Sequence, residues 1–268
     1  MNILGLGEDK MEEIRGKKIS VVPQDPFLSL DPISCVGIQI AESIPGFYER
    51  GRVKKGKIRQ EVLRLMREVG IGDPERRYDN YPFELSGGLR QRIAIAAALA
   101  PSPEILICDE PTTALDVTIE AQILDLFIRL KKERRLSMIF ITHDLGVVAK
   151  VADRVAVMYA GKIVEVGAAE EIFYDPKHPY TAALLSSLPS SGSGRLKPIP
   201  GAVPDMRYPP KGDAFAERNE NALRIDHHIE PPFFEVSETH KVASWSYYNE
   251  IRKKASVDKK TEGENSGE

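Results

Sequence analysis

Two acids in succession close an apolar run in ILICDEP, at Asp109 and Glu110. A buried strand that delivers such a pair to its carboxyl end supplies what hydrolysis of a nucleoside triphosphate requires. Asp109 would hold magnesium through water, and Glu110 would orient or deprotonate the attacking water. Leu85–Ser86–Gly87–Gly88, followed by Arg90, Gln91 and Arg92, offers different chemistry. Two glycines behind a capping Ser let backbone N–H groups approach an anion, and the dipole of the following helix favours negative charge there. His143 follows a second apolar run, FITHD, at a strand exit of the kind that faces the ligand crevice of α/β proteins, within reach of a terminal phosphate. Gln24, in VVPQDP, ends a third run, and its amide oxygen suits a magnesium shell or a positioned water. Taken singly, each also reads as plain structure: a capped helix, a polar strand exit, a satisfied histidine. Cys108, on the acid-bearing strand, reads as a small core hydrophobe.

The elements that must position these residues are legible from periodicity. KISVVPQ, ending at Gln24, predicts a short strand running into a loop, and Glu104 to Asp109 predicts an apolar strand. SMIFIT, just before His143, predicts a second buried strand. Ile58, Val62, Leu65, Met66 and Val69 recur at helical spacing, with Gly70 as a stop. A helix opens at Ser86 and halts before Pro101, and Ile119, Ile123, Leu126, Phe127 and Leu130 mark another. RVAVMY and KIVEVG predict a hairpin around Gly161. Apolar strands alternating with helices define an α/β class with parallel strands. Pro189 to Pro232 reads as extended chain with turns, and the charged residues after Trp245 read as disordered.

Composition removes several classes. A length of 268 residues fits one large domain or two small ones. Lys plus Arg is 37 and Asp plus Glu is 40, so the net charge of −3 gives no basic excess for nucleic acid or an anionic membrane. Cys35 and Cys108 are too few for a disulfide scaffold or a cysteine metal site. No run of about 18 apolar residues is present to span a membrane. The opening MNILGLGEDKMEE has neither the basic start nor the apolar core of a secretory leader.

Order and spacing turn the weak signals into a set. Gln24, then LSGGLRQR, then ILICDEPTTALD, then ITHD resemble the Q-loop, signature, Walker B with D-loop, and switch histidine of ABC-type ATPases, across about Lys17 to Leu188. PQDPFLSLDP, CDEPTTALDVTIEAQIL, ITHDLGVVAKVADRVAVMYAGKIVE and PKHPYTAALL are similar to the ATP-binding subunits of di- and oligopeptide importers, and nickel importers share much of this wording. The resemblance implies an ABC-type nucleotide-binding domain over residues 1–188, lacking its N-terminal part, with a helical subdomain at about 32–100. A C-terminal extension over 189–250, opening near His178–Pro179–Tyr180, and a disordered charged tail over 251–268 would follow. It implies ATP with Mg2+: Asp109 and Gln24 serve the metal through water, and Gln24 also senses nucleotide. Leu85, Ser86, Gly87, Gly88 and Gln91 meet the nucleotide held by an opposing subunit, Glu110 and His143 are catalytic, and Asp116 lies across the dimer interface. The implied partners are a paralogous ATPase subunit, two transmembrane permease subunits and, indirectly, an extracytoplasmic peptide-binding protein, with no nucleic acid. The implied place is the cytoplasmic face of the cell membrane, peripherally.

Two departures from that family stand out. The phosphate-cradling P-loop is missing, because the one G-x-x-x-x-G-K string, Gly51 to Lys57, has Ile58 where the magnesium-binding Ser/Thr belongs. That string also follows Gln24 instead of preceding it and opens an amphipathic helix, so the true motif is expected upstream of Met1. The family's four C-terminal cysteines are replaced, with Asp213, Asn219 and Ser244 at three of the positions and the fourth near His227. No iron–sulfur cluster is therefore expected, and the extension would be anchored by Trp245, Phe233 and Phe234. The expected function is to couple ATP hydrolysis to uptake of di- or oligopeptides. The alternatives are a subunit without a P-loop that only lends its LSGG to a partner ATPase, and a nickel-importer ATPase.

Overall fold

Parallel pairing needs strands whose backbone partners arrive from distant sequence, and three such strands form the first sheet. In the computed structural model, which describes residues 2–47, 55–113, 115–187 and 198–252, the chain divides into two compact units, Met1–Val151 and Ala152–Glu268. The first holds, in order, α1 (Glu8–Glu12), β1 (Ile19–Val22), α2 (Pro26–Ser29), α3 (Val36–Glu42), α4 (Lys55–Glu68), α5 (Pro74–Arg77) and α6 (Gly87–Leu99). Then come β2 (Ile105–Asp109), α7 (Val117–Arg134), β3 (Ser137–Ile141) and α8 (Leu145–Val151). The sheet order is β1-β2-β3, with Val21 opposite Ile107 and Ile107 opposite Ile139.

Helices of this unit cover one face of that sheet. Val22, Leu106 and Cys108 are buried with Ile123, Phe127 and Leu130, and Phe127 meets Phe140 edge-on at 5.0 Å. Burial pushes the Cys108 thiol up, as befits a core position. On the other face Val21, Ile139 and Ile141 are each about half exposed. β3 is thus an alternating strand at the sheet edge among the described residues, not the fully buried strand its composition predicts. β1 also ends earlier than expected, at Val22. Pro23 has no N–H for the ladder, so Gln24 lies in the loop beyond.

The helical periodicities hold. Ile58, Val62, Leu65 and Met66 are buried on α4 and Val69 just past its end, where the Gly70 N–H returns to the Arg67 carbonyl. α4 already runs through Gly56 and Lys57, so the end of the GRVKKGK string is helix with Ile58 facing the core; Gly51–Lys54 lie outside the described residues. Arg134 binds both oxygens of Glu68, at 2.5 and 2.7 Å, and ties α7 to α4.

The second unit begins with the hairpin β4 (Arg154–Tyr159) and β5 (Lys162–Ala168), turning at Ala160–Gly161 where both residues are left-handed. α9 (Ala169–Tyr174), α10 (Pro179–Ser186), β6 (Phe234–Glu235) and β7 (Lys241–Val242) complete it. The order β4-β5-β7-β6 joins the hairpin to the C-terminal strands in one antiparallel sheet. That shared sheet explains why the division falls inside 1–188 rather than at its end. Residues 198–232 form turns and a single 3-10 turn, Ala216–Arg218, close to the extended reading, and the first part of that stretch lies outside the described residues. Residues 245–252 are helical, where a disordered tail was expected from 251; 253–268 lie outside the described residues.

This unit is held by packing and by a buried polar clasp. Tyr159, Val164, Ile172 and Phe215 form its core, with Tyr180 against Phe215. Phe233 is exposed and anchors nothing, whereas Phe234 packs on Trp245 and Tyr248. Glu165, fully buried, accepts from the Lys177 and His178 N–H groups at 2.5 and 3.2 Å and pairs with His240 Nε2 at 2.8 Å. His178 caps α10, its Nδ1 accepting from Tyr180 N at 3.1 Å, so its proton sits on Nε2, 3.8 Å from Asp213. Burial drives the His178 pKa down to about 4 and that of Asp213 up.

Candidate nucleotide-hydrolysis site

Three chain segments converge on the Glu110 carboxylate. Its Oε1 lies 2.9 Å from His143 Nδ1, and its Oε2 accepts from Gln24 Nε2 at 2.8 Å and from the Thr113 hydroxyl at 2.9 Å. Gln24 follows β1, Glu110 follows β2 and His143 follows β3, so parallel pairing alone brings their strand exits together. The Glu110 backbone is left-handed, at φ 41°, and its N–H binds the Ile141 carbonyl at 2.8 Å. A non-glycine residue held there stores strain, a feature that clusters at functional sites. The hydrogen bond from His143, then that from Thr113, hold the Glu110 carboxyl below the usual carboxylate range. Glu110 remains 23% exposed and His143 78%, so the pair is open to solvent at the strand ends.

The two residues expected to serve magnesium carry donors that fit the ion. Asp109, half-buried at the end of β2, brings a carboxylate, and Gln24 spends its Nε2 on Glu110, which leaves the amide oxygen for a cation. Both are hard oxygen donors of the kind magnesium takes.

The LSGG segment is built differently. Leu85 is buried and pins the loop, while Ser86 and Gly87 are exposed at the N-terminus of α6. Ser86 holds the N-cap position, yet its hydroxyl makes no capping bond, contrary to the capping role its type predicts. The two glycines differ. A Cβ on Gly88 would fall 2.6 Å from Ile119 Cγ2 on α7, so that glycine serves helix packing; a Cβ on Gly87 would meet only Leu115 Cδ2, at 3.8 Å. Gln91 does not join Ser86 and Gly87 at the surface. Gln91 lies one turn further along α6 on the side that Gly87 begins, where the helix is packed, and it is buried with an unpartnered Nε2. Asp116 caps α7, its Oδ1 accepting from Ile119 N at 2.9 Å.

Two contributors escape the sequence reading. Thr113 is on the carboxylate, as above. Arg90 donates from Nε to the carbonyls of Pro82 and Leu85, both at 2.9 Å, and lies over the Phe27 ring at 4.9 Å, linking the signature loop to the segment after Gln24. LSGGLRQR marks Arg90 as basic; only the fold shows where it donates.

Convergence of Q-loop, acid pair and histidine on a parallel sheet, together with a glycine-rich helix start elsewhere in the unit, defines an ATP-binding cassette. Known proteins agree. The family described as ABC transporter matches residues 4–113, and the ATP-binding cassette MJ0796, solved as a dimer in a post-hydrolysis state with ADP and Pi, superposes with a TM-score of 0.54. That structure is 28% identical, with 62% of this chain and 68% of that one covered. The family described as Oligopeptide/dipeptide transporter, C-terminal region, matches residues 164–225. The oligopeptide transport ATP-binding protein OppD of Bacillus subtilis (strain 168) is 54% identical over 247 residues, covering 91% of this chain and 68% of the relative. The dipeptide transport ATP-binding protein DppD of Lactococcus lactis subsp. cremoris (strain MG1363) is 54% identical over 246 residues, with 91% and 70% covered. The chain belongs to the ABC transporter ATPases and, within them, to the oligopeptide/dipeptide transport ATP-binding proteins.

Proposed function

We propose that this chain works as one of two ATPase subunits on the cytoplasmic side of a di- or oligopeptide importer, with Glu110 as the group that takes the proton from the attacking water. The convergence of Gln24, Thr113 and His143 on that one carboxylate carries the reading. Hydrogen bonds to both of its oxygens fix its direction before any substrate arrives, which is how positioning lowers a barrier. His143, free at Nε2 and largely exposed, is the group placed to meet a terminal phosphate. Magnesium, when bound through Asp109 and Gln24, would offset charge on the phosphates. Ser86 and Gly87, exposed with no cap bond of their own, face outward as a surface for a nucleotide on the paralogous subunit. Permeases that span the membrane would be its partners; no helix among the described residues is long and apolar enough to cross one.

The nickel-importer alternative has less behind it, because the similar relatives bear peptide-transport names. The trans role of the signature loop separates an acting subunit from a bystander. Gly87→Asp has room for its Cβ and places a carboxylate where a phosphate would approach. Peptide uptake by cells with an otherwise complete importer should be abolished by this change, and near-normal uptake would remove that role.

A further inference from the structure

We infer that Thr113 is a positioning residue for hydrolysis, orienting Glu110 through its hydroxyl; this rests on the reading of Glu110 as the proton acceptor. The segment from Glu110 to Thr113 closes as a turn. The Thr113 N–H returns to the Glu110 carbonyl at 3.1 Å, with buried Pro111 in the second place of the turn, where its fixed φ is favoured. That closure brings the hydroxyl back over the carboxylate, where it donates to Oε2 at 2.9 Å. Gln24 donates to the same oxygen from a separate loop, so two donors set one face of the carboxylate while His143 holds the other oxygen. A β-branched side chain is stiff at χ1, so the hydroxyl direction follows the backbone of the turn.

Thr113 also stands at the head of the segment that runs to Leu115 and Asp116. Leu115 is the side chain nearest Gly87, and Asp116 anchors the start of α7. Arg92 and Arg129, by contrast, share a basic hollow but already donate to the Val69 and Glu68 carbonyls at the end of α4, which accounts for them.

The test is ATP hydrolysis by the assembled importer carrying Thr113→Val, which keeps the shape and removes the donor, or Thr113→Ser, which keeps the hydroxyl. Thr113→Val should lower kcat about ten-fold with KM for ATP within two-fold of the parent, and Thr113→Ser should recover most of the loss. Parental kcat in Thr113→Val, equal loss in both variants, or a rise in KM alone would each overturn the assignment. Glu110→Gln is run alongside. If it hydrolyses normally, the reading of Glu110 has failed; if it is inactive while Thr113→Val is normal, only Thr113 has.

Discussion

Each unit holds a Glu–His pair, and the two are nearly superimposable as distances: 2.9 Å from His143 to Glu110, 2.8 Å from His240 to Glu165. Their surroundings are opposite. Glu110 is the first residue past β2 and His143 the second past β3, both with access to solvent, and the Glu110 backbone is left-handed. Glu165 lies within β5, its side chain without exposure, and His240 is 2% exposed beside β7. The buried carboxylate spends itself on its own chain, accepting from two backbone N–H groups and bridging to the segment before β7. A pair so buried is costly to break and does no chemistry on a ligand that cannot reach it. The same residue types at the same distance are therefore a buried clasp in one unit and a solvent-accessible pair in the other, and exposure at strand ends is what separates them.

The largest expected effect is on the clasp. Glu165→Ala leaves buried donors unpaired and should destabilise the second unit by about 3–5 kcal/mol. Denaturant unfolding followed by Trp245, the chain's one tryptophan, reads that unit directly. A change below about 1 kcal/mol would make the clasp incidental. Glu110→Gln should do the reverse. Hydrolysis by the assembled importer should fall about 10²–10³-fold, with the Trp245 unfolding curve unmoved; a few-fold loss would take the proton-accepting role away from Glu110.

Acid should separate the units next. His178 is held neutral by burial, its pKa near 4 against 6.5 when solvated. The unfolded chain therefore takes up the proton first, and the stability tied to neutral His178 is complete above about pH 7. It is lost as pH falls from 6.5 toward 4, by about 3 kcal/mol across that window. Asp213, facing His178, and Asp226 are raised by burial and act in the opposite direction, returning some stability as pH drops through their raised values toward 3.8. His178→Asn keeps an acceptor for the Tyr180 N–H, so its Trp245 unfolding should lose the His178 part of the decline between pH 6.5 and 4. An unchanged pH profile in the variant would exclude His178 as the source.

The smallest contrast lies between neighbouring glycines. Gly88→Ala drives a methyl into Ile119 and should cost about 1–3 kcal/mol, measured by circular dichroism on thermal or denaturant unfolding. Gly87→Ala meets no such obstacle and should unfold like the parent. Equal losses at both would put Gly87 in the same structural role as its neighbour.

Much of this was legible before the fold. The helix spacings at Ile58–Val69 and Ile119–Leu130, the hairpin at Gly161, and the candidates Gln24, Asp109, Glu110 and His143 all follow from local pattern, because strand ends and amphipathic faces are written in neighbouring residues. The class of chemistry came with them. What local pattern could not supply was contact between distant segments. Thr113 touches Glu110 only after a turn closes, and Arg90 supports the signature loop only once α6 packs beside Phe27. Gln91 stands in the motif yet is buried, because the first residues of α6 are open to solvent and the turn after them is packed. The Met138–Ile141 run is apolar throughout, but burial depends on which layers cover a sheet, and here the helices cover one face. The sequence by itself determined the family, the acid pair and the paired glycines at the start of a helix. Only the tertiary structure decided that Glu110 keeps access to solvent while Glu165 becomes a buried clasp, because solvent access is a property of the packed chain and not of any residue in it.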